Sequence, residues 1–320
     1  MKGLRSNLLL ELFFRGIHGE ALSVHKLANE YGVSTKSITR TINDLKVFLA
    51  DHRDLVGNAE LQYSHRDKCY RLCMDEFLTN KELFSLVEVI IGARAFSKME
   101  LLALVDKLKR FTTPEDRPIL SEMIRKELYH YVEVKHDCES VQDTLWQLVS
   151  CIADRREISI EYYRMDRTWV THRLWPVSVM FTDHYFYLIA FKAEDVSAKP
   201  LYFRVDRVKH ITEHRKKIFP EAMPDFNEGL LRQRSLFMWP GKLRTIRFEF
   251  TGPSVQAVLD KLPTSKIIER IGGTYLIEAE VYGDGIKMWL LSQGAWVKVV
   301  APNEFVEDIR ETITQMAQFY

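Results

Sequence analysis

The chain has 320 residues, of which 46% are hydrophobic, and its net charge at pH 7 is +1. This length suits several small domains, and the charge excludes a uniformly basic surface, so any nucleic-acid contact requires a local basic patch. The first apolar stretch, LLLELFF at 8–14, is too short to span a membrane, and no signal-peptide cleavage site follows it. The chain has four cysteines and no CxxC pair, so we expect no disulfide framework and no zinc site. We therefore expect a cytoplasmic protein without a cofactor, a metal or a membrane partner.

The first fifty residues predict three helices. Apolar residues recur at helical spacing over 4–17, and two shorter helices follow in 22–49, with Ser23 and Ser34 as N-caps and a turn at Gly32. Two helices around a tight glycine turn indicate a helix-turn-helix, whose second helix exposes polar side chains suited to a DNA groove. The residues on that face are Lys36, Ser37, Thr39, Arg40 and Asn43.

The segment ELQYSHRDKCYRL at 60–72 alternates around a polar turn and predicts a β-hairpin. Its turn carries His65, Arg66 and Lys68, which are suited to contact backbone phosphates. The alternative interpretation of the polar helix before it is a solvated surface with no partner.

The rest of the chain predicts a helical stretch followed by two mixed regions. Helical periodicity runs over 76–134, and a further helix is expected at 141–155. The period then changes, and EISIEYYR, TWVTHRLWPVSVMF, HYFYLIAFK and LYFRVDRVKHI predict the strands of a small antiparallel barrel or sheet. Residues 240–320 mix strands with helices and predict an α+β sandwich. The fold class is therefore multidomain α+β.

Three segments resemble known bacterial regulators. VSTKSITRTINDL resembles the recognition segment of winged helix-turn-helix proteins, although Thr41 stands where many of these have an aspartate. YFYLIAF followed by LYFRVDRV resembles the WYL domain of bacterial transcriptional regulators, whose Trp-Tyr-Leu signature is present as Phe186, Tyr187 and Leu188. The later MWLLSQGAWVKVVAPNEFVEDI resembles the WCX extension that follows such domains.

This resemblance implies four parts in the chain. They are a winged helix-turn-helix at 1–75, a helical connector at 76–138, an Sm-like β-barrel (the WYL domain) at 139–222 and an α/β sandwich (the WCX extension) at 240–320. In the family, the barrel senses a ligand, often a nucleotide or a nucleic-acid fragment, through aromatic and basic residues. By resemblance the ligand-binding residues include Tyr187, Arg204 and Arg207, and chemistry on nearby strands adds Tyr162, Tyr163 and His172.

Two interpretations of the arginines stay open. In one continuous strand, Arg204 and Asp206 would share a face and Arg207 would point the other way. The arginines would then form a phosphate-binding patch, with Asp206 orienting one of them. Alternatively, Asp206 pairs with one arginine in a partly buried bridge that fixes the sheet.

The expected function is a ligand-responsive transcriptional regulator, a repressor that binds a duplex DNA operator as a homodimer. Its effector would be a nucleotide or a single-stranded nucleic acid. We expect no enzymatic activity, because the sequence contains no P-loop, HExxH or GxSxG motif. The alternative is an RNA-binding or scaffold protein that uses the Sm-like barrel and has no operator.

Overall fold

The computed structural model describes residues 2–56, 58–74, 78–112, 116–195, 199–218 and 227–320. The chain divides into two compact units, 1–134 and 135–320. The domain ends predicted at residues 75 and 222 lie outside the described residues, and the other predicted boundaries stay predictions. In the part of the chain that is described, no helix combines the length and the apolar character needed to cross a membrane.

The N-terminal unit begins with helices and a hairpin in the predicted order. The elements are α1 (Lys2–Ile17), α2 (Val24–Tyr31), α3 (Thr35–Asp51), the one-turn α4 (Arg53–Val56) and the antiparallel pair β1 (Glu60–Ser64) and β2 (Cys69–Cys73). Gly32 ends α2 with a left-handed φ of 61°, a conformation that glycine adopts without strain.

Local hydrogen bonds and an apolar core explain how α3 is held. The Ser34 hydroxyl caps α3 by accepting the Ser37 amide, whereas Ser23, at the N-cap of α2, makes no such side-chain bond. On one side of α3, Ile38, Ile42 and Leu45 are fully buried in the core of this part. The opposite side of the helix is therefore left for solvent or a partner.

Three more helices with their own small core complete the N-terminal unit. They are α5 (Asn80–Ala93), α6 (Lys98–Lys109) and α7 (Arg117–Tyr129). Capping boxes start two of them, because Thr79 and Ser97 each exchange hydrogen bonds with a glutamate three residues later. The core that joins the three helices includes Val87, Leu101 and Ile124.

The second unit opens with α8 (Val141–Ala153) and a five-stranded antiparallel sheet. Its strands are β3 (Arg156–Tyr163), β4 (Trp169–Thr182), β5 (Tyr185–Lys192), β6 (Leu201–Arg204) and β7 (Val208–Lys217), in the spatial order β6-β5-β4-β3-β7. The helix packs on the sheet, and its Leu148 lies in one buried cluster with Ile158 and Leu188. Because β6 and β7 are both edge strands, the described sheet is open, and the predicted closed Sm-like barrel is not confirmed.

The prediction of one continuous strand over LYFRVDRVKHI is wrong. β6 ends at Arg204, residues Val205–Arg207 form a single turn of 3-10 helix, and β7 begins at Val208. The chain must turn here because β6 pairs with β5 at one edge of the sheet, whereas β7 pairs with β3 at the other. The alternation predicted for Arg204, Asp206 and Arg207 is therefore lost.

The remaining elements form an α/β layer within the same unit. After α9 (Glu228–Arg234) come β8 (Leu243–Phe250), α10 (Val255–Lys261), β9 (Lys266–Ile271), β10 (Thr274–Tyr282), α11 (Gly285–Ser292), β11 (Val297–Ala301) and α12 (Asn303–Ala317). The four strands lie in the order β11-β8-β10-β9, and the core between sheet and helices includes Phe248, Ile277 and Phe305. This agrees with the predicted α+β sandwich.

Three glycines let two backbone segments touch directly. A Cβ atom on Gly283 would lie 1.9 Å from the Trp239 carbonyl oxygen, and one on Gly285 would lie 1.9 Å from the Leu236 carbonyl oxygen. A Cβ on Gly241 would lie 2.6 Å from the Cα of Gly283. Residues 236–241 therefore rest on the backbone of 283–285 with no room for side chains between them.

Replacing Gly283 by alanine should lower the free energy of unfolding by more than about 3 kcal/mol, since its Cβ would overlap a carbonyl oxygen that belongs to the backbone. The matched control is Gly272→Ala, because Gly272 also has a positive φ, of 59°, but nothing lies within 4 Å of its added Cβ. That variant should lose only about 1 kcal/mol to backbone strain. Urea unfolding followed by circular dichroism measures both losses, and equal losses would contradict the close backbone contact.

Candidate nucleic-acid and ligand sites

The outer face of α3 presents most of the residues predicted to enter a DNA groove. Lys36, Ser37, Arg40 and Asn43 are exposed. Thr39 is half-buried, and its hydroxyl donates a hydrogen bond of 2.9 Å to the main-chain oxygen four residues earlier. The hydroxyl of Thr39 is therefore already used within the helix.

Thr41, the position that departs from the winged-helix pattern, serves the helix itself. Its side chain is buried, and its hydroxyl donates to the Ser37 carbonyl oxygen at 3.2 Å. A buried hydroxyl needs such a partner. Where many winged-helix proteins have an aspartate, this chain thus has a threonine whose hydroxyl is hydrogen-bonded within the helix.

The turn between β1 and β2 presents the second predicted set, and His65, Arg66 and Lys68 are all exposed. The turn is shaped by Ser64, whose hydroxyl oxygen accepts the Asp67 amide at 3.2 Å. The hairpin is also tied to the chain before α2, since Leu22 and Tyr70 exchange main-chain hydrogen bonds of 2.8 and 2.9 Å. The basic turn is therefore held against the three-helix part.

In the second unit, the turn after β6 contains a buried ion pair. The Arg204 guanidinium donates to both Asp206 carboxylate oxygens, with Nε–Oδ1 at 3.0 Å and Nη2–Oδ2 at 2.6 Å. Asp206 is only 3% exposed. The same guanidinium lies over the Tyr185 ring, with Cζ 3.4 Å from the ring centroid, where a cation–π interaction is favourable. Of the two interpretations left open, the buried bridge is present for Arg204.

His136 completes the surroundings of this carboxylate. Its Nδ1 lies 3.4 Å from Asp206 Oδ2, and its side chain is 7% exposed. Burial acts to raise the pKa of Asp206, but the hydrogen bonds from His136 and Arg204 outweigh burial and hold the pKa below its ordinary value. Asp206 is therefore ionised at neutral pH.

Tyr162 and Arg207 lie next to this turn. The main-chain N–H of Arg204 donates to the Tyr162 hydroxyl at 3.3 Å. Burial raises the pKa of Tyr162, and the hydrogen bond from the Arg204 main chain and the positive charge of Arg207 partly oppose that rise. Among the described residues, no carboxylate forms an ion pair with Arg207, in contrast to Arg204. Arg207 is thus a half-buried cation beside a phenol hydroxyl.

The other predicted ligand residues divide into two groups. His172 lies beside Tyr162, with 6.3 Å between the ring centroids, and Tyr187 is the direct partner of Arg204 across the β5–β6 pair. Burial and nearby positive charges lower the pKa of His172, which is therefore neutral at pH 7. Tyr163 is not brought into this group, because adjacent strand residues point to opposite faces, and it packs on Trp169 instead.

Two residues of the site were missed by sequence reasoning. Tyr185 had a usable signal, since it lies two residues before Tyr187 on the same strand and so shares its face. His136 had none, because it precedes α8 and is 70 positions away from Asp206 in the chain. Only the folded structure brings it to the carboxylate.

The turn after β6 carries two guanidiniums with different surroundings. Arg207 supplies a guanidinium without a carboxylate partner in the described structure, and Tyr162 supplies a hydroxyl next to it. Arg204 is fixed in place by Asp206 and by the Tyr185 ring. A planar guanidinium is suited to bind phosphate oxygens through paired hydrogen bonds.

Comparison with known families assigns both regions of the second unit. Residues 143–213 match the family model described as WYL domain, and residues 242–317 match the one described as WCX domain. The second unit therefore contains one region similar to WYL domains and one similar to WCX domains. Its WYL domain is followed by a WCX domain, as the sequence resemblance implied.

Two solved structures share a distant likeness with this chain. The proteasome accessory factor B/C of Arthrobacter aurescens is 15% identical over 96% of this chain, with a TM-score of 0.30, and the chain spans 47% of that protein. A CRISPR Cas-related protein is 16% identical, with 94% of this chain and 92% of that chain covered and a TM-score of 0.40. No curated protein matches the sequence.

Asp206→Asn should destabilise the second unit in a pH-dependent way. Because the pKa of Asp206 in the folded state is below its ordinary value of about 3.9, its ionic contribution is complete above that pH and is lost as the pH falls through the lower folded-state pKa. The variant leaves Arg204 without its counter-charge, so we expect a loss of about 3 kcal/mol at neutral pH. This loss should shrink as the pH falls below about 4.

Urea unfolding at a series of pH values measures the effect. Asp260→Asn is the control, because Asp260 is exposed in the same unit and accepts a hydrogen bond from the Gln256 side chain. It should change the unfolding free energy by less than about 0.5 kcal/mol. A loss for Asp206→Asn that does not vary with pH would show that the carboxylate charge is not what stabilises the turn.

Proposed function

We propose that this protein is a ligand-responsive transcriptional regulator, a binding protein without enzymatic activity, which recognises duplex DNA. The observation that carries the proposal is the exposed polar face of α3, opposite its buried apolar face, in one unit with a basic hairpin turn. Arg40 and Lys36 can donate to guanine edges or phosphates, and Asn43 has the paired donor and acceptor that suit adenine. The hairpin is proposed to act as the wing, with Lys68 at a backbone phosphate.

We further propose that the protein acts as a homodimer and as a repressor. One recognition helix reads only a few base pairs, and two copies on paired half-sites multiply specificity. A repressor needs only to occupy its operator, and this is the simplest use of such a dimer.

Arg40→Ala should weaken binding to an operator selected from a random duplex pool by about 1–3 kcal/mol and relax the base preference at one position of each half-site. Lys68→Ala should instead weaken binding to all duplexes alike. Because it removes about one phosphate contact, it should also make the slope of log affinity against log salt concentration less steep by about 1. Fluorescence anisotropy at several salt concentrations measures both effects and the number of chains per duplex.

The control for these variants is Lys81→Ala, which removes an exposed lysine from α5 in the same unit. Unchanged operator affinity for Arg40→Ala would contradict the assignment of α3. Selection of RNA in place of duplex DNA would favour the alternative, an RNA-binding or scaffold protein.

The proposed effector is a nucleotide or a single-stranded nucleic acid bound at the turn after β6. This is supported by the positive charge of Arg207 near Tyr162 and by the rings of Tyr185 and Tyr187, which lie beside Arg204. The phosphates would pair with the guanidinium groups, and a base would stack on an aromatic ring.

Arg207→Ala should weaken the binding of a short single-stranded oligothymidylate about 10- to 100-fold, because a hydrogen bond to a charged group contributes on this scale. Arg207 is a better probe than Arg204, whose removal would leave Asp206 buried without its main counter-charge. The control is Arg215→Ala, which removes an exposed arginine from β7 of the same sheet. Equal affinity for both variants in a calorimetric titration would exclude Arg207 from the ligand site.

A further inference from the structure

The second unit begins with a short segment that is fastened to the arginine turn. We call residues 135–138 the anchor segment. The main-chain N–H groups of Asp137 and Cys138 both donate to the Asp206 carbonyl oxygen, at 3.0 and 2.9 Å. The His136 side chain adds a contact to the Asp206 carboxylate at 3.4 Å. Asp206 therefore holds the anchor segment with its main chain and its side chain together.

The carboxylate that holds the anchor segment also holds Arg204. Asp206 Oδ2 is shared, since it lies 2.6 Å from Arg204 Nη2 and 3.4 Å from His136 Nδ1. A carboxylate this deeply buried needs a positive partner to stay where it is. The position of the Asp206 turn thus depends on Arg204 remaining paired with it.

One atom of this arrangement is poorly satisfied. His136 Nε2 is buried and has no hydrogen-bond partner among the described atoms. An unpaired polar atom inside a protein is unfavourable, so its burial works against the anchored state. Exposure of His136 to water would satisfy this atom, so the unpaired Nε2 offsets part of the stabilisation that the contact of His136 with Asp206 gives.

We propose that an anion bound by Arg204 and Arg207 releases the anchor segment. The anion competes with Asp206 for the guanidinium of Arg204, Asp206 loses its main counter-charge, and the turn that carries its carbonyl oxygen shifts away from Asp137 and Cys138. The anchor segment continues directly from the N-terminal unit, which ends at residue 134. Its release changes the freedom of the chain where it joins the two units. This inference rests on the ligand site proposed above.

Hydrogen exchange of the full chain, with and without the short oligothymidylate, tests the coupling. Binding is measured first by calorimetry, so that failure to bind counts against the proposed ligand site and not against the coupling. With the oligonucleotide bound, the amides of Asp137 and Cys138 should exchange about tenfold faster. The amide of Thr251, which donates to Trp296 in the WCX domain, is the internal reference and should not change. Bound oligonucleotide with unchanged exchange at 137 and 138 would overturn the proposal.

The reciprocal effect separates coupling from a merely structural role. If binding and anchoring oppose each other, weakening the anchor must strengthen binding by the same factor. His136→Ala should therefore bind the oligonucleotide more tightly than the unaltered protein, whereas His210→Ala, at an exposed position on β7, should not. Equal or weaker binding by His136→Ala would also overturn the proposal. Should that variant fail to fold, the exchange measurement on the unaltered chain still decides.

Discussion

The buried carboxylate of Asp206 sets the constraint around which the WYL domain is arranged. A charge with 3% exposure is tolerated only beside positive partners, and here Arg204 provides two hydrogen bonds from the same short stretch of chain. This local pair bends the backbone between β6 and β7, so that the two strands can reach opposite edges of the sheet. It also turns the Arg204 guanidinium onto the Tyr185 ring. The same ion pair therefore shapes the turn after β6 and positions an arginine of the proposed ligand site.

Glu157 is a second buried acid in the same domain, and its partners lie on neighbouring strands of the sheet. Glu157, at the start of β3, is fully buried and accepts hydrogen bonds from Trp175 at 3.0 Å and from Arg173. Burial acts to raise the pKa of Glu157, but these bonds outweigh it and the pKa is lowered. Its partners lie on β4 and on β7, where Lys216 is 3.4 Å away, so this acid links its own strand to the strands on both sides.

Much of the fold could be predicted from the sequence because its signals are local. The helices of the N-terminal unit follow from apolar spacing and serine caps, and the hairpin follows from alternation around a polar turn. Two elements gave no such signal. Every residue of β9 is exposed, so the strand shows no alternation of burial, and the polar EHRKK at 213–217 lies in the edge strand β7. The turn at 205–207 was missed because its apolar and charged residues mimic a continuous strand.

The contact of residues 236–241 with 283–285 has a consequence for exchanging parts between related proteins. The two segments meet backbone to backbone, and the first is also held by the WYL domain, since the Lys199 ammonium donates to the Gly241 carbonyl oxygen at 2.9 Å. Residues 236–241, directly before the WCX domain, are thus fitted to both neighbouring parts. A chimera that joins this WYL domain to another WCX domain would have to transplant both sides of the contact together, glycines included.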